Sequence, residues 1–151
     1  MGALRNQKST ASPMLPPMSF IAVVGSGSPA MLTTVLELAG TLLELGELTA
    51  FNNIVPLLYE IAGERADVDR RLGYLLYAND FPDPAADRLM AAIQGGEATP
   101  EAYAALGHIC RAKHLDDDAE AFMRAALESD EQNMTRHLDL AGLLAGSGRY
   151  A

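Results

Sequence analysis

Leucines recur along this chain in register, at an interval of 34 residues. Each leucine of the first column is followed by alanine or glycine, and two further apolar columns keep the same interval. The three columns are Leu38, Leu72, Leu106 and Leu140; Leu42, Leu76, Cys110 and Leu144; and Val55, Leu89 and Met123. A fixed period of this length predicts an array of helical hairpins. Such arrays mostly present extended binding surfaces.

Within each period the apolar residues fall at helical spacing, and turn residues separate the runs. The pattern predicts helices over about 31–45 and 48–62, with stops at Gly46 and Gly63. Pro56 predicts either a kink in the second of these helices or a later start. Further helices are expected from 67 to the turn at 79–84, from there to 94, from 100, from 116 to 129, and from 134 to 146.

Two helix starts carry capping signals. Thr99-Pro100-Glu101 combines a hydroxyl cap, a proline in the first turn and a carboxylate near the positive helix end. Asn133 is placed to cap the last predicted helix in the same way. Together with the 34-residue period, these signals predict the domain organisation. A flexible leader covers 1–31, and a repeat domain covers 32–151. The repeats lie at 32–65, 66–99 and 100–133, with a partial repeat at 134–151.

The leader mixes Ser, Pro and Met without periodicity, which is typical of an unstructured segment. Its one strand-like run, Phe20–Val24, has no partner strand in the sequence. Arg5 and Lys8 precede an apolar stretch, as in a signal peptide, but Pro16-Pro17 interrupts it. We therefore expect a cytoplasmic protein without a membrane segment.

The third repeat resembles the tetratricopeptide repeat (TPR), in which an aromatic residue precedes Leu-Gly and small residues follow on the second helix. The matching residues are Tyr103, Leu106, Gly107, Ala119 and Ala126. The second repeat matches less completely, because Asp69 stands where the aromatic residue is usual. The resemblance implies an all-α fold, a right-handed helical-hairpin solenoid of TPR-like repeats. It also implies a protein-interaction scaffold rather than an enzyme.

The resemblance further implies which side chains face the groove formed by the first helices of the repeats. They are Arg70, Tyr74, Tyr77, His108 and Arg111. Aromatic and arginine side chains are typical anchors of protein interfaces. Some members of the family hold a peptide carboxylate with a Lys and Asn pair in this groove, but Arg70 with Tyr74, and Ala104 with His108, do not reproduce that pair.

Charge narrows the class of partner. The formal net charge is −9, and the first and last segments of the chain are slightly basic, so the acidity belongs to the three full repeats. Because affinity for phosphate backbones comes mainly from clustered Lys and Arg, we expect a protein or peptide partner, with no nucleic acid and no membrane.

The sequence predicts no catalytic, cofactor-binding or metal site. The Gly25–Ala30 turn lacks the further strands that a dinucleotide site needs. Cys110 and His114 are four residues apart, but Cys110 lies in an apolar column, which favours a small core residue over a metal ligand. Asp116-Asp117-Asp118 is interpreted as a helix start, where carboxylates complement the helix dipole.

The last predicted helix has no second helix after it within the sequence, so we expect Leu140 and Leu144 to be partly exposed. Either the protein continues beyond Ala151 or another subunit covers this surface, which would make it a homo-oligomer through the open carboxy-terminal helix. One alternative function remains open: an amino-terminal TPR region of a larger enzyme, such as a glycosyltransferase, sulfotransferase or methyltransferase.

Overall fold

The computed structural model describes residues 29–148, which form seven α-helices and no strand. The helices are α1 (Pro29–Glu44), α2 (Leu48–Ala62), α3 (Arg65–Ala78), α4 (Pro82–Gln94), α5 (Pro100–Ala112), α6 (Asp116–Ser129) and α7 (Met134–Gly146). Helix α1 begins three residues before the predicted repeat boundary at 32. The strand-like run and most of the predicted leader lie outside the described residues.

The predicted helix boundaries are confirmed by their capping geometry. Gly46 and Gly63 adopt φ values of +76° and +73°, a left-handed conformation that glycine adopts without a side-chain clash. The Thr99 hydroxyl accepts a hydrogen bond from the Ala102 amide at 3.2 Å, and the Asn133 side chain accepts one from the Thr135 amide at 3.1 Å. Local sequence therefore sets where these helices begin and end.

Pro56 lies inside α2, which begins at Leu48 as one continuous helix. Proline has no backbone N–H, so the Asn52 carbonyl lacks its helical hydrogen-bond partner. Because Asn52 and Pro56 are both exposed, this carbonyl lies on the solvent side of the helix. The prediction of a later helix start is therefore wrong.

The core follows the first and third predicted columns, whereas in the second column Leu76 is buried and Leu42, Cys110 and Leu144 are half-buried. Leu72, Leu106 and Leu140 are buried, and so is the column on the second helices, Val55, Leu89 and Met123. Paired helices pack most extensively in the hairpins α3–α4 and α5–α6. A continuous series of buried clusters therefore runs along the array from α1 to α7.

Leu38 is an exception to its column, because 45% of its surface is exposed. Leu72 shares a buried cluster with Phe51 and Leu58 of α2, the second helix of the preceding hairpin. Within residues 29–148 no second helix precedes α1, so nothing covers the equivalent position. In α1 the neighbouring Ala39 is buried instead.

At the other end, the prediction for α7 is half correct. Leu140 is buried against α6 in a cluster with Met123, whereas Leu144 is only half-buried. Ala141 stands where Gly73 and Gly107 stand in the earlier repeats, yet it is exposed because no second helix follows it in the described residues. His137, which lies 34 residues after Tyr103, is also exposed, with Nε2 2.8 Å from the Glu131 carbonyl, so it does not pack in the core.

Candidate functional site

The first helices of the hairpins, α1, α3, α5 and α7, form the surface on which the sequence places the binding residues. We call it the first-helix face. Residues of α3, α5 and α7 on this face line an open depression of about 370 Å³, which we call the central depression. Its lining comprises Tyr74 and Tyr77 of α3, Glu101, Ala104, Ala105 and His108 of α5, and Arg136 of α7.

Three of the five predicted groove residues therefore come together. Tyr77 is 40% exposed, and Tyr74 and His108 are half-buried. Ala104 and Ala105 lie between these rings and have small side chains, so they form the floor of the depression and the aromatic rings form its walls. An apolar floor with aromatic walls is a surface that a side chain of a partner can enter.

Tyr74 is fixed by contacts on both sides. Its hydroxyl lies 2.8 Å from the Thr99 hydroxyl, the same group that caps α5. The guanidinium of Arg70 lies 5.7 Å from the centre of the Tyr74 ring, within range of a cation–π contact. The ring is therefore held in place before any partner binds.

Arg70 lies at the edge of the depression, where it joins two hairpins. It donates to Asp67 Oδ1 at 2.5 Å and to Glu97 Oε2 at 3.1 Å. Burial opposes the charged form of Arg70, but the two carboxylates outweigh that cost and raise the pKa of its guanidinium. Arg70 therefore serves mainly to hold α3 against the segment before α5, and its charge is already balanced.

The opposite wall of the depression is also built from ion pairs. Arg136 Nη2 lies 3.3 Å from Glu101 Oε1, and Arg136 Nε lies 3.3 Å from Asp130 Oδ2. His108 Nε2 lies 3.2 Å from Asp139 Oδ2 of α7. The Asp130 carboxylate accepts from the Asn133 amide group, and this bond, with Arg136, lowers the pKa of Asp130. Arg136 is not among the predicted groove residues, all of which belong to the second and third repeats, whereas Arg136 belongs to the partial repeat.

Arg111, the fifth predicted residue, does not line the central depression. It is exposed on α5, and its guanidinium lies beside α7, where a Cβ added to Gly142 would be 3.7 Å from Nη1. It therefore extends the first-helix face towards the carboxy-terminal end.

A second polar cluster lies away from this face, among α2, α3 and α4. The Asp69 carboxylate is buried, and it accepts hydrogen bonds from the Tyr59 hydroxyl and, at 3.3 Å, from Arg88. Arg88 also donates to the Tyr59 oxygen at 2.6 Å, and Arg65 lies 4.1 Å from the centre of the Tyr59 ring. Burial, followed by the hydrogen bond to Asp69, raises the pKa of Tyr59.

This cluster explains the unusual residue of the second repeat. Asp69 stands where the resemblance leads us to expect an aromatic side chain, and the hydroxyl of Tyr59 from the preceding helix hydrogen-bonds to it. Because the carboxylate is paired with both a hydroxyl and a guanidinium, its burial leaves no unsatisfied polar group.

Cys110 packs at the edge of a buried cluster with Met123 and Leu140. Burial, followed by the charge of Asp118, raises the pKa of its thiol. Within residues 29–148, no three potential metal ligands lie close enough together to hold an ion. None of the seven helices is both long and apolar enough to cross a bilayer.

Comparison with known proteins shows the fold. No protein-family model matches the chain, and no curated protein is detectably similar in sequence. Among solved structures, two crystal structures of MamA resemble the chain, each with a TM-score of 0.62 and 18% sequence identity. Each alignment covers 87% of this chain, and 77% and 72% of the respective MamA chains. The chain therefore has the predicted all-α fold, a solenoid of TPR-like helical hairpins.

Proposed function

We propose that this protein is an interaction scaffold that binds a segment of a partner protein on its first-helix face. The central depression supports this proposal, because residues from two successive hairpins and from α7 line one apolar surface with a charged rim. Tyr74 and His108 are held by contacts within the protein, so binding requires little ordering of these side chains. Tyr77 and Arg111 are the exposed groups that remain available to a partner.

The site suits recognition better than chemistry. Its polar groups are paired with one another: Arg136 with Glu101 and Asp130, and His108 with Asp139. Paired groups at a rim give orientation and specificity to a docked segment, while the aromatic walls supply most of the contact area.

Affinity capture with matched variants tests the proposal. The full chain, immobilised, would be incubated with extract of the cells that encode it, and bound proteins would be quantified by mass spectrometry. We expect the variant that combines Tyr77→Ala with Arg111→Ala to capture a specific protein in an amount about tenfold or more below that captured by the wild-type chain. This is the scale of losing one interface anchor. Neither side chain is buried, so helicity should be unchanged.

The control removes similar groups from the second helices. Met90 of α4 is 37% exposed and Arg124 of α6 is exposed, so Met90→Ala with Arg124→Ala likewise removes one large side chain and one arginine, on another face. If both double variants lose the same captured proteins to the same extent, the central depression is not the binding site. The same conclusion follows if neither variant loses any captured protein.

A second candidate partner is another copy of the chain, bound through α7. Met134 and Leu138 are 68% and 65% exposed, and Ala141 beside them is exposed as well. Sedimentation over a range of concentrations would detect such a complex. We expect Leu138→Glu to shift it to monomer and Leu115→Glu, an equally polar change at an exposed leucine before α6, to leave it unchanged; a wild-type protein that stays monomeric at high concentration would exclude this candidate.

A further inference from the structure

A second depression lies on the first-helix face, between α1 and α3, and none of its residues belongs to the predicted groove set. We call it the amino-terminal depression. It has a volume of about 550 Å³ and is lined by Thr33, Leu36, Glu37, Gly40, Thr41 and Glu44 of α1 and by Arg71 and Leu75 of α3. Leu36, Gly40 and Leu75 form an apolar floor.

The rim of this depression carries two carboxylates that have no counter-charge among residues 29–148. Glu37 and Glu44 are both exposed, and seven residues of helix place them about 10 Å apart on one side of α1. Neither forms an ion pair within the described part of the chain.

The other polar groups of the rim are already engaged. Arg71 Nε lies 2.9 Å from Asp67 Oδ2, and Asp67 also pairs with Arg70. The hydroxyls of Thr33 and Thr41 donate to carbonyls of their own helix, at 2.8 and 3.0 Å. The two free carboxylates therefore leave the depression with a negative charge and acceptor groups.

Gly40 shapes the floor between the two carboxylates. A Cβ added there would lie 3.7 Å from Leu75 Cδ2, so the position is in contact with the floor but is not crowded. Without a side chain at Gly40, an aliphatic chain can lie along α1 with its end beside Glu37 or Glu44. Lysine and arginine combine such an apolar stem with a cationic end.

We propose that the amino-terminal depression binds a segment of a partner protein in which a lysine or arginine stands next to apolar side chains. This inference rests on the proposed function and names the chemistry that the first-helix face selects. The apolar neighbours of the cation occupy the floor at Leu36 and Leu75, and the cation pairs with the carboxylates of α1. A hydrophobic contact together with charge complementarity gives both affinity and orientation.

Fluorescence anisotropy with defined probes tests this inference. The probe is a fluorescein-labelled amphipathic peptide built of leucine and lysine, and its counterpart has glutamate at every lysine position. We expect the lysine peptide to bind the full chain, more weakly as salt rises, and the glutamate peptide not to bind. We expect Glu37→Gln with Glu44→Gln to weaken binding about five- to tenfold, the scale of two partly exposed ion pairs.

The control must separate this site from the general negative charge of the chain. Glu60→Gln with Glu128→Gln changes the net charge by the same amount at exposed positions of α2 and α6. We expect it to weaken binding by less than about twofold. Equal weakening by the two double variants would mean that the peptide responds to overall charge, and it would overturn the inference.

Two further outcomes would also overturn it. If Glu37→Gln with Glu44→Gln changes the sedimentation of the protein without peptide, a second copy of the chain occupies the depression. If the same variant binds the lysine peptide normally while Tyr77→Ala with Arg111→Ala still loses its captured partner, the scaffold function stands and the choice of a basic segment is wrong. A third outcome would support the inference. In it, only Glu37→Gln with Glu44→Gln loses peptide binding, and Tyr77→Ala with Arg111→Ala captures its partner normally. The central depression would then be excluded as the binding site.

Discussion

Gly73 lies where the first and second helices of the second hairpin approach most closely. A Cβ added at Gly73 would lie 2.7 Å from Cγ and Cδ2 of Leu89 and 3.3 Å from the Leu89 backbone nitrogen. Leu89 is completely buried. The substitution Gly73→Ala therefore tests whether the spacing of these two helices depends on the absence of a single carbon atom.

Two opposing effects determine the result. Alanine favours a helix over glycine by about 1 kcal/mol, mainly because glycine loses more backbone entropy on folding. Forcing an extra carbon into a packed core costs about 1–3 kcal/mol. Because one of the close atoms belongs to the backbone, Leu89 cannot escape the clash by rotating its side chain alone. We expect Gly73→Ala to reduce the free energy of unfolding by a net of up to about 2 kcal/mol, which is the packing cost less the gain in helix propensity.

Urea unfolding followed by far-UV circular dichroism measures this change. Gly40→Ala is the matched control, because Gly40 is also inside a first helix but an added Cβ would be at an ordinary contact distance, 3.7 Å from Leu75. We expect this control to stabilise the protein by about 0.5–1 kcal/mol. The same substitution should therefore have opposite signs at the two positions.

A double variant locates the cause. Leu89→Ala alone removes buried surface and should cost about 2–5 kcal/mol. In that background the two side-chain atoms at 2.7 Å are absent and only the 3.3 Å approach to the backbone nitrogen of residue 89 remains, so Gly73→Ala should cost clearly less than it does in the wild-type protein. If Gly73→Ala stabilises the wild-type protein as much as Gly40→Ala does, the reasoning about close helix packing is refuted.

Three other predictions follow from single contacts. Gly107→Leu should abolish cooperative thermal unfolding, because an added Cβ would already lie 2.8 Å from Met123 Cγ; full helicity would show that the repeat register is wrong. Asp69→Asn should lower the free energy of unfolding in urea by about 1–3 kcal/mol, since it leaves Arg88 without its carboxylate, whereas a loss below about 0.5 kcal/mol would mean that the buried network is not stabilising. Cys110 should react with iodoacetamide more slowly in the folded than in the urea-unfolded protein at the same pH, because its raised pKa reduces the thiolate fraction; equal rates would contradict this.

The tyrosine–aspartate–arginine cluster shows where sequence reasoning was incomplete. The repeat pattern identified Asp69 as a departure from the usual aromatic residue, but it did not predict burial of the charge. Tyr59 and Arg88 lie ten residues before it and nineteen residues after it. Only the packing of α2, α3 and α4 brings the three groups within hydrogen-bonding distance.

The candidate site also combines features that could be expected from the sequence with features that only the packing of the helices creates. The resemblance to a helical repeat implied that Tyr74, Tyr77 and His108 face one groove, and these three residues do line one depression. The contact between Arg70 and Glu97 could not be predicted in this way, since Glu97 belongs to the segment between α4 and α5. The register similarly predicts that Leu38 is buried, although burial also requires a neighbouring helix.

The sequence by itself determined the helical hairpins, their caps and the columns that form the core. These features depend on local backbone preferences and on periodic burial, which residues close in sequence specify. The tertiary structure decided which charges are neutralised, where the first-helix face has depressions, and which apolar residues of α1 and α7 remain exposed. These properties depend on distances between side chains from different repeats, and those distances exist only once the hairpins have packed against one another.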